Sequence, residues 1–306
     1  MKNAYRILTF DGGGLRSIFS ARLVSRILKE RPDFLDKVDM IAGNSGGSIV
    51  ACGLAAGYSP EEIVSFFKED GPNIFKTSFT NKLKGFFGVL GAKYEGEPRQ
   101  RVFEKYFSGK KLSTIEGKTL LLTAFDLKHN SGRWKPVSFH NYKGSPTIDY
   151  SLTDCLMAST AAPTYFPIAR AGNTRYIDGG VWANNPSLAA YSEAINTWYG
   201  KQDHKNVILL NIGSIASKSM IKSKKSSLGY YDWFQNEIID LILDSASMDS
   251  IEYYLGNIMG PNYKKLNILM DEEIKLDDFS KIDKMLSIAD NLNLDDVKSW
   301  LQGFWY

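Results

Sequence analysis

The stretch Val38-Asp39-Met40-Ile41-Ala42-Gly43-Asn44-Ser45-Gly46-Gly47-Ser48-Ile49-Val50 constrains this chain more than any other. An apolar run stops at Gly43, and a small-residue apolar helix begins just after Ser45. A serine on a tight strand-to-helix turn has strained dihedrals, and only small neighbours two residues before and after it let the backbone fold back. Gly43 and Gly47 hold those two positions. Such a nucleophile elbow lifts the Ser45 hydroxyl clear of the backbone. It also points the Gly46 N–H toward whatever the hydroxyl attacks, so one oxyanion donor comes with the geometry. The pattern alone also fits a plain tight turn, and the rest of the sequence has to separate the two readings.

Two further strand ends have the same look. Tyr5 to Phe10 reads as a buried strand that runs into Asp11-Gly12-Gly13-Gly14-Leu15-Arg16, and a helix over about 15–30 follows, ending before Pro32. Consecutive glycine N–H groups with a helix dipole behind them form an anion-binding concavity, suited to a phosphate or to a developing oxyanion. Arg175-Tyr176-Ile177-Asp178-Gly179-Gly180-Val181 is the third such end. Asn184-Asn185-Pro186 then caps a helix to about Tyr199, and Asn206 to Ile212 is another buried strand.

Between these, Ser59-Pro60-Glu61-Glu62 opens a helix with an N-cap, a proline at N1 and an acid at N3. A short helix near 99–107, strands near 119–125 and 136–140 and a helix near 153–159 complete the middle of the chain. The alternation predicts an α/β fold, a three-layer sandwich with a mostly parallel sheet between helices. In such sheets functional groups gather at the carboxyl edge, where Asp11 with its glycines, Ser45 and Asp178 all fall. From about Leu228 the pattern turns mainly helical, with Trp233, Phe234, Ile238, Ile239, Leu241 and Ile242 on one face. No linker separates it, which predicts one domain over 1–306, with its motif-bearing core at about 5–215.

The remaining sequence properties mostly exclude. At 306 residues and 43% hydrophobic, the chain can bury a large core. A net charge of +3 and no aromatic-plus-basic module argue against nucleic acid. Three histidines, at 129, 140 and 204, are too scattered for a metal cluster, and neither a metal nor another cofactor is expected. Cys52 and Cys155 read as buried, reduced thiols. No signal-peptide core opens the sequence, and no apolar run of about 18 residues follows, so a cytoplasmic protein is expected.

Taken in order, DGGGLR at 11–16, GNSGG at 43–47 and DGG at 178–180 resemble the patatin-like phospholipases, serine-aspartate lipid acyl hydrolases. Asn262 to Asn267, Leu276-Asp277-Asp278 and the terminal helix resemble the family as well, so the resemblance spans nearly the whole chain. It implies Ser45 as nucleophile, Asp178 as its partner, and the loop of Gly12, Gly13 and Gly14 as oxyanion hole. It also implies a membrane phospholipid substrate with peripheral membrane contact. Some bacterial members of this size are effectors switched on by nucleotide second messengers in defence against phage, which makes a cyclic nucleotide the candidate activator. Ser17 departs from the glycine that often follows the basic residue in the family.

The chemistry fits a dyad better than a triad. A Ser, Asp, His order would need a histidine in a later loop near the C-terminus. His129 and His140 precede Asp178, and His204 sits in the polar loop 201–205 before a strand. An aspartate is a weak base at neutral pH, but desolvation raises its pKa by a unit or more. Gly13, Gly14 and Gly46 are the candidate oxyanion donors. Arg16 either holds a lipid phosphate or bonds to the sheet edge, and Asp11 reads as a structural loop residue. Two other functions remain open: a phosphate- or nucleotide-binding module using the glycine loop with Ser45 inert, and a serine peptidase with the same nucleophile chemistry. Phe79 to Tyr94 interleaves phenylalanines with Lys82, Lys84 and Lys93, and reads either as a membrane-contacting lid or as a cover for the core.

Overall fold

A computed structural model describes residues 4–76, 91–128, 132–217, 226–229, 232–233, 241–242 and 248–306. Its centre is an eight-stranded mixed sheet. Five strands run parallel: β1 (Tyr5–Phe10), β2 (Met40–Gly43), β3 (Thr119–Asp126), and beyond the antiparallel strands described next, β7 (Val207–Ile212) and β9 (Tyr263–Leu266). The antiparallel members are β4 (Lys135–His140), β5 (Ala169–Ala171) and β6 (Thr174–Asp178). A separate two-stranded parallel pair joins β8 (Ala216–Ser217) to β10 (Leu269–Met270).

Helices cover both faces, as the alternation predicts. Along β1, Leu8 faces a cluster with α1 (Ser17–Glu30), α2 (Ser45–Ala55), α3 (Pro60–Glu69) and the helix Ile282–Asn291, whereas Ile7 faces the helices Ser187–Ile195 and Met248–Met259. Period-two alternation thus sends neighbouring apolar residues to two different cores, and the strands are buried on both sides. α1 is amphipathic, with Ile18, Phe19, Leu23, Val24 and Ile27 buried. α3 begins with the capping box that Ser59 and Glu62 predict. Cys52 and Cys155 are buried free thiols, pushed well above the ordinary thiol range by burial.

β3 organises the site. Its residues 121–122 pair with both β2 and β4, and its residues 124–126 pair with both β4 and β6. β2 and β6 therefore lie along the same edge of β3, one after the other. β2 runs up that edge and stops at Gly43 opposite Leu122; β6 runs down it and stops at Asp178 opposite Ala124. The two strand ends meet head to head across Thr123.

Strands β5 and β9 lie outside the sequence reading. Ala169–Ala171 is too short for a periodic signal, and Tyr263–Leu266 has two lysines between its buried ends. The helix read to Tyr199 ends at Ile195, where Asn196 caps the following turn with its side chain. The helical face from Trp233 to Ile242 and the stretch Phe79 to Tyr94 lie largely outside the described residues. Lys93 and Tyr94 are described, and both donate to Asp277.

Candidate active site

The elbow forms as the glycine spacing predicts. Ser45 has φ +49°, a left-handed conformation rare for a residue with a Cβ, at the first position of α2. Gly43 and Gly47 are required by close approach. A Cβ on Gly43 would meet the Gly47 carbonyl, and one on Gly47 would meet the carbonyl oxygens of Phe10 and Asp11. The turn is thus wedged against the end of β1, and neither position has room for a side chain.

Asp178 sits beside Ser45 with 1% exposure, and the two side chains are hydrogen-bonded. Burial pushes its carboxyl up to about 6, against the opposing effects of the Gly180 N–H, Ser45, Asn44 and Arg99. Gly180 N–H donates to Oδ1 at 2.7 Å and Asn44 Nδ2 donates to the same oxygen at 3.2 Å. Asn44 is itself fixed: its Oδ1 accepts the Thr123 hydroxyl at 2.7 Å, and its Nδ2 also reaches Asn184 Oδ1 at 3.1 Å. A carboxyl held this way is desolvated enough to take up a proton near neutral pH, while its hydrogen bonds hold it in one orientation.

The glycine loop lies against the elbow. A Cβ on Gly46 would collide with the Gly14 carbonyl, so the two backbones touch. Gly14 adopts φ +55°, beside the Leu276 carbonyl. The loop is pinned from the C-terminal region, because Leu15 N–H donates to Leu276 O at 2.8 Å and Ser214 Oγ donates to Gly12 O at 2.6 Å. The Gly12 N–H, in the loop that the resemblance implies as oxyanion hole, donates to Asn184 O at 2.9 Å and is therefore engaged, whereas Gly13, Gly14 and Gly46 are the three candidate donors. Among the described residues no backbone acceptor takes the N–H of Gly13, Gly14 or Gly46.

Arg16, which the sequence leaves open between a phosphate contact and a structural bond, is 2% exposed, and its guanidinium reaches the carbonyls of Gly13 and Ile274, both at 3.4 Å, so it braces the loop from inside. Asp11 Oδ1 accepts Asn211 Nδ2 at 2.7 Å, in keeping with a structural role. The described histidines lie away from Ser45. His140 on β4 is packed between Tyr142 and Tyr199 and pushed down to about 4 by burial, and His204 is exposed beside Asp203. His129 lies outside the described residues.

From Ser45 and Gly46 an apolar slot runs inward between Ile49, Phe67, Phe103 and Phe166, with Gly14 and Leu276 at its mouth. It encloses about 30 Å³, room for a couple of waters. Sequence reasoning does not single out Asn44, Thr123 and Ser159 as parts of the site, and it reads Asn184 as a cap. Each acts through a contact between distant segments, and only the position of Asn44 inside the elbow could have drawn notice. Among the described residues no group of three or more histidine, cysteine or acidic side chains is placed to hold a metal, and no helix is long and apolar enough to cross a membrane.

Residues 8–191 match the patatin-like phospholipases. A protein named teg from Priestia megaterium is 28% identical over 98% of this chain and 99% of its own length. A cGAMP-activated phospholipase of Escherichia coli is 31% identical over 75% of this chain and 68% of its own. Another, of Pseudomonas aeruginosa, is 28% identical over 86% and 78%.

Proposed function

This chain belongs to the patatin-like phospholipase family, and from that we propose that it is a lipid acyl hydrolase of phospholipase A type acting through Ser45 and Asp178. The observation that carries the reading is the buried Asp178 carboxyl, raised to about 6 and bonded to a serine that opens onto an apolar slot. Asp178 takes the Ser45 proton as Oγ bonds to the ester carbonyl carbon. The N–H groups of Gly13, Gly14 and Gly46 receive the oxyanion, in a dry site where each donor is worth roughly 10²-fold or more. The intermediate collapses, the C–O bond to the lysolipid breaks, and the departing oxygen takes the proton from Asp178. Water then attacks the acyl-Ser45 ester with Asp178 as base, releasing the fatty acid and restoring the hydroxyl.

The slot receives the acyl chain once its aromatic wall, with Phe166 and Tyr165, moves apart. We read residues 1–306 as one domain, since Trp305 packs in the same core as α1 and stacks on Phe34 at 5.4 Å. We place the protein in the cytoplasm, in contact with the membrane surface during turnover. A cyclic nucleotide is its activator in this reading, supported by the two relatives described as cGAMP-activated phospholipases. The test is mass spectrometry of products from mixed bacterial phospholipids, with and without cGAMP. Release of fatty acid and lysophospholipid by the wild type and not by Ser45→Ala is expected. Products from neither protein under either condition would favour an inert binding module.

A further inference from the structure

Helix Gly96–Phe107 carries Arg99 into the interior, where it has no solvent exposure. Its guanidinium lies over the Phe166 ring, 4.2 Å from the centroid. Nη1 donates to the Thr160 carbonyl and, at 3.1 Å, to the Thr160 hydroxyl. Among the described residues, Nε and Nη2 have no hydrogen-bond partner. Among the described residues the one charge that acts on Arg99 is that of Asp178, and burial pulls the guanidinium down to about 9, so it is still a cation at neutral pH. A buried cation with unmatched donors opposes folding, and folds keep such groups where function needs them.

Thr160 shows what Arg99 holds. It is the middle of three consecutive residues that grip both halves of the dyad. Before it, Ser159 Oγ accepts the Ser45 N–H at 3.2 Å; after it, the Ala161 carbonyl accepts the Asp178 N–H at 3.0 Å. Thr160 also caps the C-terminus of the helix Leu152–Ser159, so the guanidinium sits at the negative end of that helix.

We propose that Arg99 is the positioning residue of the dyad: it fixes Thr160, and through Ser159 and Ala161 the backbones of Ser45 and Asp178, while its unmatched charge faces the Asp178 carboxylate. The inference rests on the Ser45–Asp178 reading. Other charged side chains on the elements around Asp178 are Asp11 and Arg16 in the glycine loop, Asp126 on β3, Asp154 on the helix Leu152–Ser159, and Arg170 and Arg175 on β5 and β6. The last two arginines are exposed, and Arg99 is the charge that figures among the largest influences on Asp178, where it favours the carboxylate.

The experiment is the pH dependence of kcat/KM on a soluble short-chain ester for Arg99→Met, Arg99→Gln and Arg99→Lys. Met and Gln remove the charge, and the acid limb of the profile is expected to move up by at least about half a pH unit. Lys restores the charge and brings the limb back toward the wild type. Gln can still donate to Thr160, so it carries the test if the Met variant fails to fold. Acid limbs that superimpose for the wild type and the uncharged variants would overturn the proposal, as would a Lys variant displaced as far as the Met variant. Asp178→Asn, assayed alongside, separates the two levels. If it stays active, the dyad reading itself has failed; if it is inactive while the limbs superimpose, only the role of Arg99 falls.

Discussion

The Gly180 N–H and the Asn44 side-chain amide donate to the same oxygen of Asp178, Oδ1, at 2.7 and 3.2 Å. An asparagine at this position can accept both bonds through its own Oδ1, and it then turns an NH₂ group that cannot take a proton toward Ser45. Asp178→Asn should therefore fold, and lose acyl release by roughly 10³-fold or more. It should also melt higher than the wild type at pH 7.5. The folded carboxyl, near 6 against a reference of 3.8, holds its proton to higher pH than the unfolded chain does. Its contribution to stability is then greatest below about pH 4 and is lost as pH rises through 6, a difference of roughly 3 kcal/mol. The gain in melting temperature should shrink at pH 4.5; an equal or lower melting temperature at pH 7.5 would count against a desolvated carboxylate.

The same group sets the rate profile. In the proposed mechanism a soluble ester is cleaved with Asp178 ionised, so kcat/KM should fall on the acid side with a midpoint near pH 6 and level off above it. A midpoint near pH 4 would mean that the aspartate titrates as if in water.

Ser45→Ala should be as damaging as Asp178→Asn, because the two act as one unit. His204→Ala should keep most activity, since the imidazole is exposed and its neighbour is Asp203 at 3.4 Å. Equal loss in the two alanine variants, measured with folding checked by circular dichroism, would replace the dyad with a triad.

Two glycines give opposite forecasts. A Cβ on Gly47 would press on the carbonyl oxygens of Phe10 and Asp11, so Gly47→Ala should cost the fold or displace the elbow. Gly256 is exposed within the helix Met248–Met259 with open space around it, and Gly256→Ala should stabilise by about 0.5–1 kcal/mol with activity unchanged. Denaturant titrations of both variants provide the comparison.

How much of this was legible in the sequence depended on the range of the cause. The elbow, the glycine loop and the Ser59 capping box follow from local sterics and hydrogen bonding within a few residues, so their residues could be named at once. The burial of Arg16 could not, because an arginine behind glycines looks the same whether it faces solvent or reaches the Ile274 carbonyl from a distant segment. The engagement of the Gly12 N–H by Asn184 and the grip of Ser159 and Ala161 on the dyad are likewise contacts between remote segments. They leave no periodic mark.

The head-to-head meeting of β2 and β6 along β3 has a consequence for the order in which the protein assembles. Asn44 and Asp178 lie 134 positions apart, and they come together only after β3 has paired with β2 below Thr123 and with β6 above it. Contacts of such sequence separation form slowly, because the intervening chain must be closed first. During refolding from denaturant, far-UV ellipticity should therefore recover ahead of the capacity of Ser45 to react with a fluorophosphonate. In the proposed mechanism, a nascent chain that has not yet made β6 would hold Ser45 without its aspartate and should not label with the same reagent.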